Sequence, residues 1–243
     1  MFVDLSGFTA LTRKLMEKGA EGAEELSNIL NEIFQPTVAL VYERGGFIPY
    51  FAGDSFTAIF PTGAGLTILH TARSAVRRLL KAQQDPNSSL AGHQIGIKVG
   101  LSEGEVEWGI VGNRRKGYYF RGAAIEGCAQ AQLHADSQAI VCDQAFLDAA
   151  QDLALKTTAL EAGFFQLDLD KLSGPAPAPT PVKLPKPDPG IATEFLPEEA
   201  FAEGNSGEFR NVVSVFLSFS GVDNHSALDN FADLYAKLEA ELR

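Results

Sequence analysis

Two aspartates and a short glycine loop hold the chemistry open to this sequence. Asp4 follows Phe2-Val3, and Asp54 lies in Ala52-Gly53-Asp54-Ser55 between two aromatic-rich runs. Carboxylates brought together from about 50 residues apart repel unless a cation sits between them, and aspartate oxygens suit Mg2+ or Mn2+. Directly after Asp4, Leu5-Ser6-Gly7-Phe8-Thr9 turns into a helix, where Gly7 lets backbone amides approach an anion at the helix N-terminus. A metal beside phosphate-cradling amides implies a nucleoside triphosphate. Alone, an Asp at a strand end and a Gly-Asp turn are ordinary turn and cap chemistry; their conjunction is far more specific.

The surrounding elements must bring the two aspartates together. Leu26, Ile29, Leu30, Ile33, Val38 and Val41 form an apolar helical stripe with a kink expected at Pro36, ended by Gly45-Gly46. Phe47–Phe51 and Phe56–Phe60 read as strands joined by the Gly-Asp turn, and Pro49 assigns the first to a sheet edge. Leu66, Leu69, Val76, Leu79 and Leu80 mark a second amphipathic helix, whose Arg73, Arg77, Arg78 and Lys81 read as a solvated face. Ile95, Ile97, Val99 and Leu101 alternate, as do Val106, Trp108 and Ile110, which predicts a hairpin turning at Glu103-Gly104. A helix over 124–135 and strands over 138–142 and 164–169 complete the pattern. Strand, helix, hairpin, helix, strand is the β-α-β-β-α-β order of a ferredoxin-like core, here with an added hairpin: an α+β fold with a mostly antiparallel sheet. In that topology the first strand pairs antiparallel with the third, which places Asp4 beside Asp54.

Seven prolines between Pro175 and Pro189 mark a linker. Phe2-Val3-Asp4-Leu5-Ser6-Gly7 aligns with Phe216-Leu217-Ser218-Phe219-Ser220-Gly221, so the chain begins a second copy of its own fold, followed by one helix through Leu228, Phe231, Leu234, Tyr235 and Leu238. The expected organisation is a first domain over 1–170 with a clipped opening strand, a linker over 171–208, and an incomplete second domain over 209–243.

Phe2-Val3-Asp4-Leu5-Ser6-Gly7-Phe8-Thr9, Gly45-Gly46 and Phe51-Ala52-Gly53-Asp54 closely resemble the class III adenylyl/guanylyl cyclase catalytic domain. Gly109-Ile110-Val111-Gly112 and Tyr118-Tyr119-Phe120-Arg121-Gly122 extend the similarity, and residues 209–243 look like the start of a partner half, as in tandem soluble adenylyl cyclases. The resemblance implies two cyclase halves, joined in cis or in trans, with the active site between them. Asp4 and Asp54 would hold two Mg2+ or Mn2+ ions, helped by the Leu5 carbonyl, while Ser6 and the amides of Gly7, Phe8 and Thr9 would cradle the phosphates of ATP as cyclic AMP and pyrophosphate form. Self-sufficient homodimeric relatives also carry base-reading and ribose-orienting groups, at positions that here read Tyr50, Tyr119, Glu126 and Gln130. None of these can do the family's job. The chain therefore resembles the metal-bearing half of a heterodimeric site, inactive alone, with a catalytically silent regulatory, nucleotide-sensing or dimerisation module as the alternative. A basic residue at Tyr50 and an Arg at Gln130 would be needed for bicarbonate response, and both are missing.

Composition narrows the remaining classes. Of 243 residues, 45% are hydrophobic, enough for a sizeable core, and 31 acidic against 20 basic residues give a net charge of −11 that disfavours nucleic acid as a partner. Cys128 and Cys142 alone build neither a zinc cluster nor a disulfide framework and read as small buried residues. His70, His93, His134 and His225 are scattered, and Arg114-Arg115-Lys116 reads as a solvated hairpin tip. No apolar run is long enough to span a membrane, so the expectation is a cytoplasmic protein.

Overall fold

A computed structural model describes all residues except 114, 115, 173, 187, 197–224 and 242–243. They form two compact units, one of Met1–Val106 with Arg121–Lys183, the other of Glu107–Phe120 with the described residues from Leu184 onward.

The first unit is a mixed, mostly antiparallel seven-stranded sheet with helices on both faces. Its elements are β1 (Phe2–Ser6), α1 (Phe8–Met16), α2 (Ala20–Glu43), β2 (Phe47–Ala52), β3 (Ser55–Ile59), α3 (Gly65–Gln84) and β4 (Gly96–Leu101). In the second unit, β5 (Glu107–Val111) and β6 (Gly117–Arg121) form a separate hairpin. The first unit resumes with α4 (Ala123–Leu133), β7 (Ile140–Asp143), α5 (Gln144–Ala149), β8 (Thr157–Ala159) and β9 (Phe164–Leu167). Two helices, α6 (Pro189–Phe195) and α7 (His225–Glu241), belong to the second unit.

The sheet order is β2-β3-β1-β4-β7-β9-β8, and its first four strands are those of the ferredoxin-like pattern. The edge position of β2 follows from Pro49, which lacks an amide to donate to a further strand. Alternation along β1 sends Val3 and Leu5 into one apolar core with Ile29, Ile33 and Val41 of α2 and Leu69, Val76 and Leu79 of α3. Phe56, Ile97, Val99 and Leu101 complete that layer. The opposite face is covered by α4, which comes close to β4 because Gly100 has no side chain: a Cβ there would lie 1.9 Å from the Cys128 carbonyl oxygen and 2.6 Å from the Gln132 nitrogen.

One expectation needs correction. The alternating runs around Glu103-Gly104 do not pair with each other; β4 lies between β1 and β7, while β5 pairs with β6. Alternation reports that a strand has two unlike faces and says nothing about its neighbour. Helix α2 runs on through Pro36, and the Thr37 hydroxyl donates to the Ile33 carbonyl at 2.8 Å. Arg77, Arg78 and Lys81 of α3 are exposed as expected, Arg77 pairing at the surface with Asp170 at 2.7 Å, while Arg73 is half-buried and donates to the Leu169 carbonyl at 3.1 Å. Within the predicted linker, the Val182 amide donates to the Tyr42 carbonyl at 3.0 Å, and Pro189 opens α6 with Asp188 as its cap. The predicted second-copy strand and its Ser218 lie outside the described residues; the helix expected after it is α7.

Candidate functional site

Antiparallel pairing of β1 with β3 sets Asp4 opposite Ser55, one residue beyond Asp54, and the Leu5 amide donates to the Asp54 backbone carbonyl at 3.3 Å. The turn before β3 depends on Gly53 at φ +63°, and the Ser55 hydroxyl secures it by donating to the Ala52 carbonyl at 2.9 Å. Burial pushes the Asp4 carboxyl above the ordinary carboxylate range, and the negative charge of Asp54 pushes it further. Lys98, its cross-strand partner on β4, and the Leu5 amide act in the opposite direction. A half-buried carboxylate repelled by a second carboxylate is electrostatically suited to a divalent cation. The donors available, two carboxylates and nearby backbone carbonyls, are hard oxygens that fit Mg2+ or Mn2+ completed by substrate oxygens. Among the described residues no cluster of three or more His, Cys, Asp or Glu side chains competes as a metal site.

The loop after Asp4 enters α1 through Gly7. Gly7 caps α1 at φ +83° and ψ −5°, a left-handed conformation that costs other residues about 1–2 kcal/mol. A Cβ there would also lie 2.4 Å from the Gln94 carbonyl oxygen, so both conformation and space call for glycine. No side chain caps α1, whose first amides include those of Phe8 and Thr9 and have no partner within the helix. The Ser6 hydroxyl donates to Ser137 at 3.0 Å and is engaged with the protein itself.

The four positions that depart from the family pattern are spread over the fold. Tyr50 lies on edge strand β2, with its hydroxyl 3.5 Å from that of Thr57. In the second unit, Tyr119 on β6 donates to Glu107 at 2.8 Å. Glu126 and Gln130 share one exposed face of α4, four residues apart.

One contact had no sequence signal. Gln132, 6% exposed on the buried face of α4, donates from Nε2 to Asp4 Oδ2 at 2.8 Å. The partners are 128 residues apart, a separation at which no local pattern operates. Both cysteines are free and buried. Lys116, read as part of a solvated tip, instead pairs with Glu194, while Arg114 and Arg115 lie outside the described residues.

Residues 1–160 match the adenylate and guanylate cyclase catalytic domain model, and the chain belongs to that family. It is 28% identical over 167 residues to adenylate cyclase type 10 of Mus musculus, covering 61% of this chain and 10% of that protein. The chain thus spans about a tenth of the length of such curated relatives. The fold is shared with the adenylyl cyclase CyaB from P. aeruginosa (TM-score 0.54, 18% identity, 71% of this chain and 94% of that one). It is also shared with the guanylate cyclase domain of RhGC from Catenaria anguillulae in complex with GTP (TM-score 0.54, 15% identity, 68% and 91%). Among the described residues no helix is long and apolar enough to cross a membrane.

Proposed function

We propose that this chain carries the metal-bearing half of a nucleotide cyclase site, forming cyclic AMP and pyrophosphate from ATP when paired with a complementary half. The observation that carries this reading is the meeting of Asp4 and Asp54 at the β1–β3 pairing, where the negative charge of Asp54 adds to burial in opposing the charge of Asp4. A fold that only scaffolds has no need to bring them together. Asp4 and Asp54, with the Leu5 carbonyl, would bind two divalent cations. Bound there, the cations supply activation of the ribose 3′-hydroxyl and neutralisation of the triphosphate. The amides of Gly7, Phe8 and Thr9 would hold phosphate oxygens, so that chain geometry orients the α-phosphate for in-line attack.

The exposed Glu126 and Gln130 on α4, with Tyr50 and Tyr119, leave base reading and ribose orientation to the partner half. Residues 209–243 read as the start of that half, residues 1–170 as the first domain and residues 171–208 as the linker between them. ATP as substrate follows the type 10 adenylate cyclases, whose similarity covers the same stretch. The same four substitutions also favour a second reading, a silent nucleotide-sensing or dimerisation module.

The deciding experiment measures cyclic nucleotide formed from Mn2+-ATP and Mn2+-GTP by this chain extended through a complete second cyclase half. Cyclic AMP that disappears with Asp54→Ala supports the enzyme. A folded tandem protein yielding no product from either nucleotide favours the silent module.

A further inference from the structure

We propose that Gln132 is a positioning residue for the metal-binding carboxylate of Asp4. The inference rests on the cyclase reading above and adds a residue outside the metal and phosphate positions already named.

Every part of the arrangement follows from close packing. Lys98 and Gly100 lie on the face of β4 that Asp4 shares through the β1–β4 register. The missing Cβ at Gly100 lets the backbone of α4 settle against the sheet at Cys128 and Gln132. From that depth the Gln132 side chain reaches Asp4 Oδ2 at 2.8 Å. A buried amide without a partner costs about 1–3 kcal/mol, so Gln132 and Asp4 hold each other in place. Gln132 thus fixes one carboxylate oxygen, Oδ2, and with it the plane of the Asp4 carboxylate.

The chemistry of the donor matters as much as its reach. A Lys or Arg in this place would orient Asp4 equally well but would repel a divalent cation and cancel the charge that attracts it. A carboxamide orients through a hydrogen bond and carries no net charge. Outer hydrogen bonds of this kind fix the ligand's rotamer before the metal arrives, which lowers the ordering cost of binding. Gln132 also faces away from Glu126 and Gln130, so it serves the site on its own domain whatever the opposite face of α4 meets.

The test titrates the 243-residue chain with Mn2+ alone and follows free Mn2+ by electron paramagnetic resonance. Wild type, Asp4→Asn and Gln132→Met are compared, the last keeping side-chain length and helix propensity. Thermal melting of each variant is followed in parallel. The expected result is Mn2+ binding that Asp4→Asn removes and Gln132→Met weakens about tenfold while the variant still melts cooperatively as a folded protein. Should Gln132→Met fail to fold, Gln132→Asn, whose amide falls one methylene short, is read in the same way. Affinity equal to or tighter than wild type in the Gln132 variant, with Asp4→Asn still abolishing binding, overturns the positioning role and leaves the metal site standing. Binding that is absent in wild type or indifferent to Asp4→Asn overturns the metal reading and this inference with it.

Discussion

Asp4 combines two influences of opposite origin: burial and Asp54 oppose its charge, while Lys98 and the Leu5 amide support it. The aspartates could be found from sequence because a strand-end Asp and a Gly-Asp turn carry local signatures. Gln132 could not, because its role exists only once α4 has docked. Cys142 shows residue-scale physics of another kind. Burial, with the negative charge of Asp143 as a lesser cause, pushes its thiol up from 9.0 to about 12. Between these values the unfolded chain loses the thiol proton while the folded chain keeps it. The folded state then binds more protons, and stability falls as pH rises through that window, by at most about 1.4 kcal/mol per unit. Urea unfolding from pH 8 to pH 10.5 should therefore show an alkaline loss of stability that Cys142→Val flattens. Slopes that match in the two proteins would remove Cys142 as the cause. The raised value also predicts that thiol reagents at pH 8 leave the native Cys142 unmodified.

Helices and strands differ in how much of them a sequence reveals. The stripes of α2 and α3 were visible because a helix buries one face continuously, and β2 and β3 because Gly53 punctuates them. The pairing of β4 is not legible in the sequence because a run such as Ile95-Ile97-Val99-Leu101 alternates in the same way whatever strand lies beside it. Short β8 and α5 have too few residues for a period to register. The close approach of α4 to β4 is likewise invisible beforehand, since Gly100 reads as one glycine in a strand. It is nonetheless the contact on which the placement of Gln132 depends. Gly100→Ala would force the Cys128 carbonyl and the Gln132 amide away from β4, an overpacking cost of about 3 kcal/mol. Chemical denaturation should report that loss, and Mn2+ affinity should fall with it as Gln132 is carried off Asp4. An alanine accepted without loss of stability would mean that α4 is not seated by this contact.

At the scale of the whole molecule, the family match over residues 1–160 takes in the β5–β6 hairpin, yet that hairpin joins a unit completed by residues far later in the chain. A two-stranded ribbon is at best marginally stable in water, so it needs further packing. Here α6 and α7 provide it: Tyr118 packs against Phe195, and Leu228, Phe231, Ala232 and Ala236 face Val111, Tyr118 and Tyr119 around an apolar cavity of about 450 Å3. Polar contacts hold the hairpin's turn from the same side. Asp229 accepts from the Gly112 amide at 3.0 Å, and Asp233 accepts from the Asn113 amide at 3.0 Å and its side-chain Nδ2 at 2.8 Å. These bonds reach a segment whose next residues are Arg114-Arg115-Lys116, three consecutive trypsin sites. Hydrogen bonds to charged groups contribute about 1.5–3 kcal/mol each, so Asp229→Ala with Asp233→Ala should raise the population of the open turn by at least tenfold. Limited trypsin digestion reads that population directly when opening is fast relative to cleavage. Cleavage at 114–116 should accelerate about tenfold in the double variant, with sites in 1–106 cut at the wild-type rate. Equal rates at the turn would show that apolar packing by Phe195 and Phe231 holds the hairpin without the aspartates. Faster cleavage everywhere would show that the second unit's order is a condition for the stability of the first.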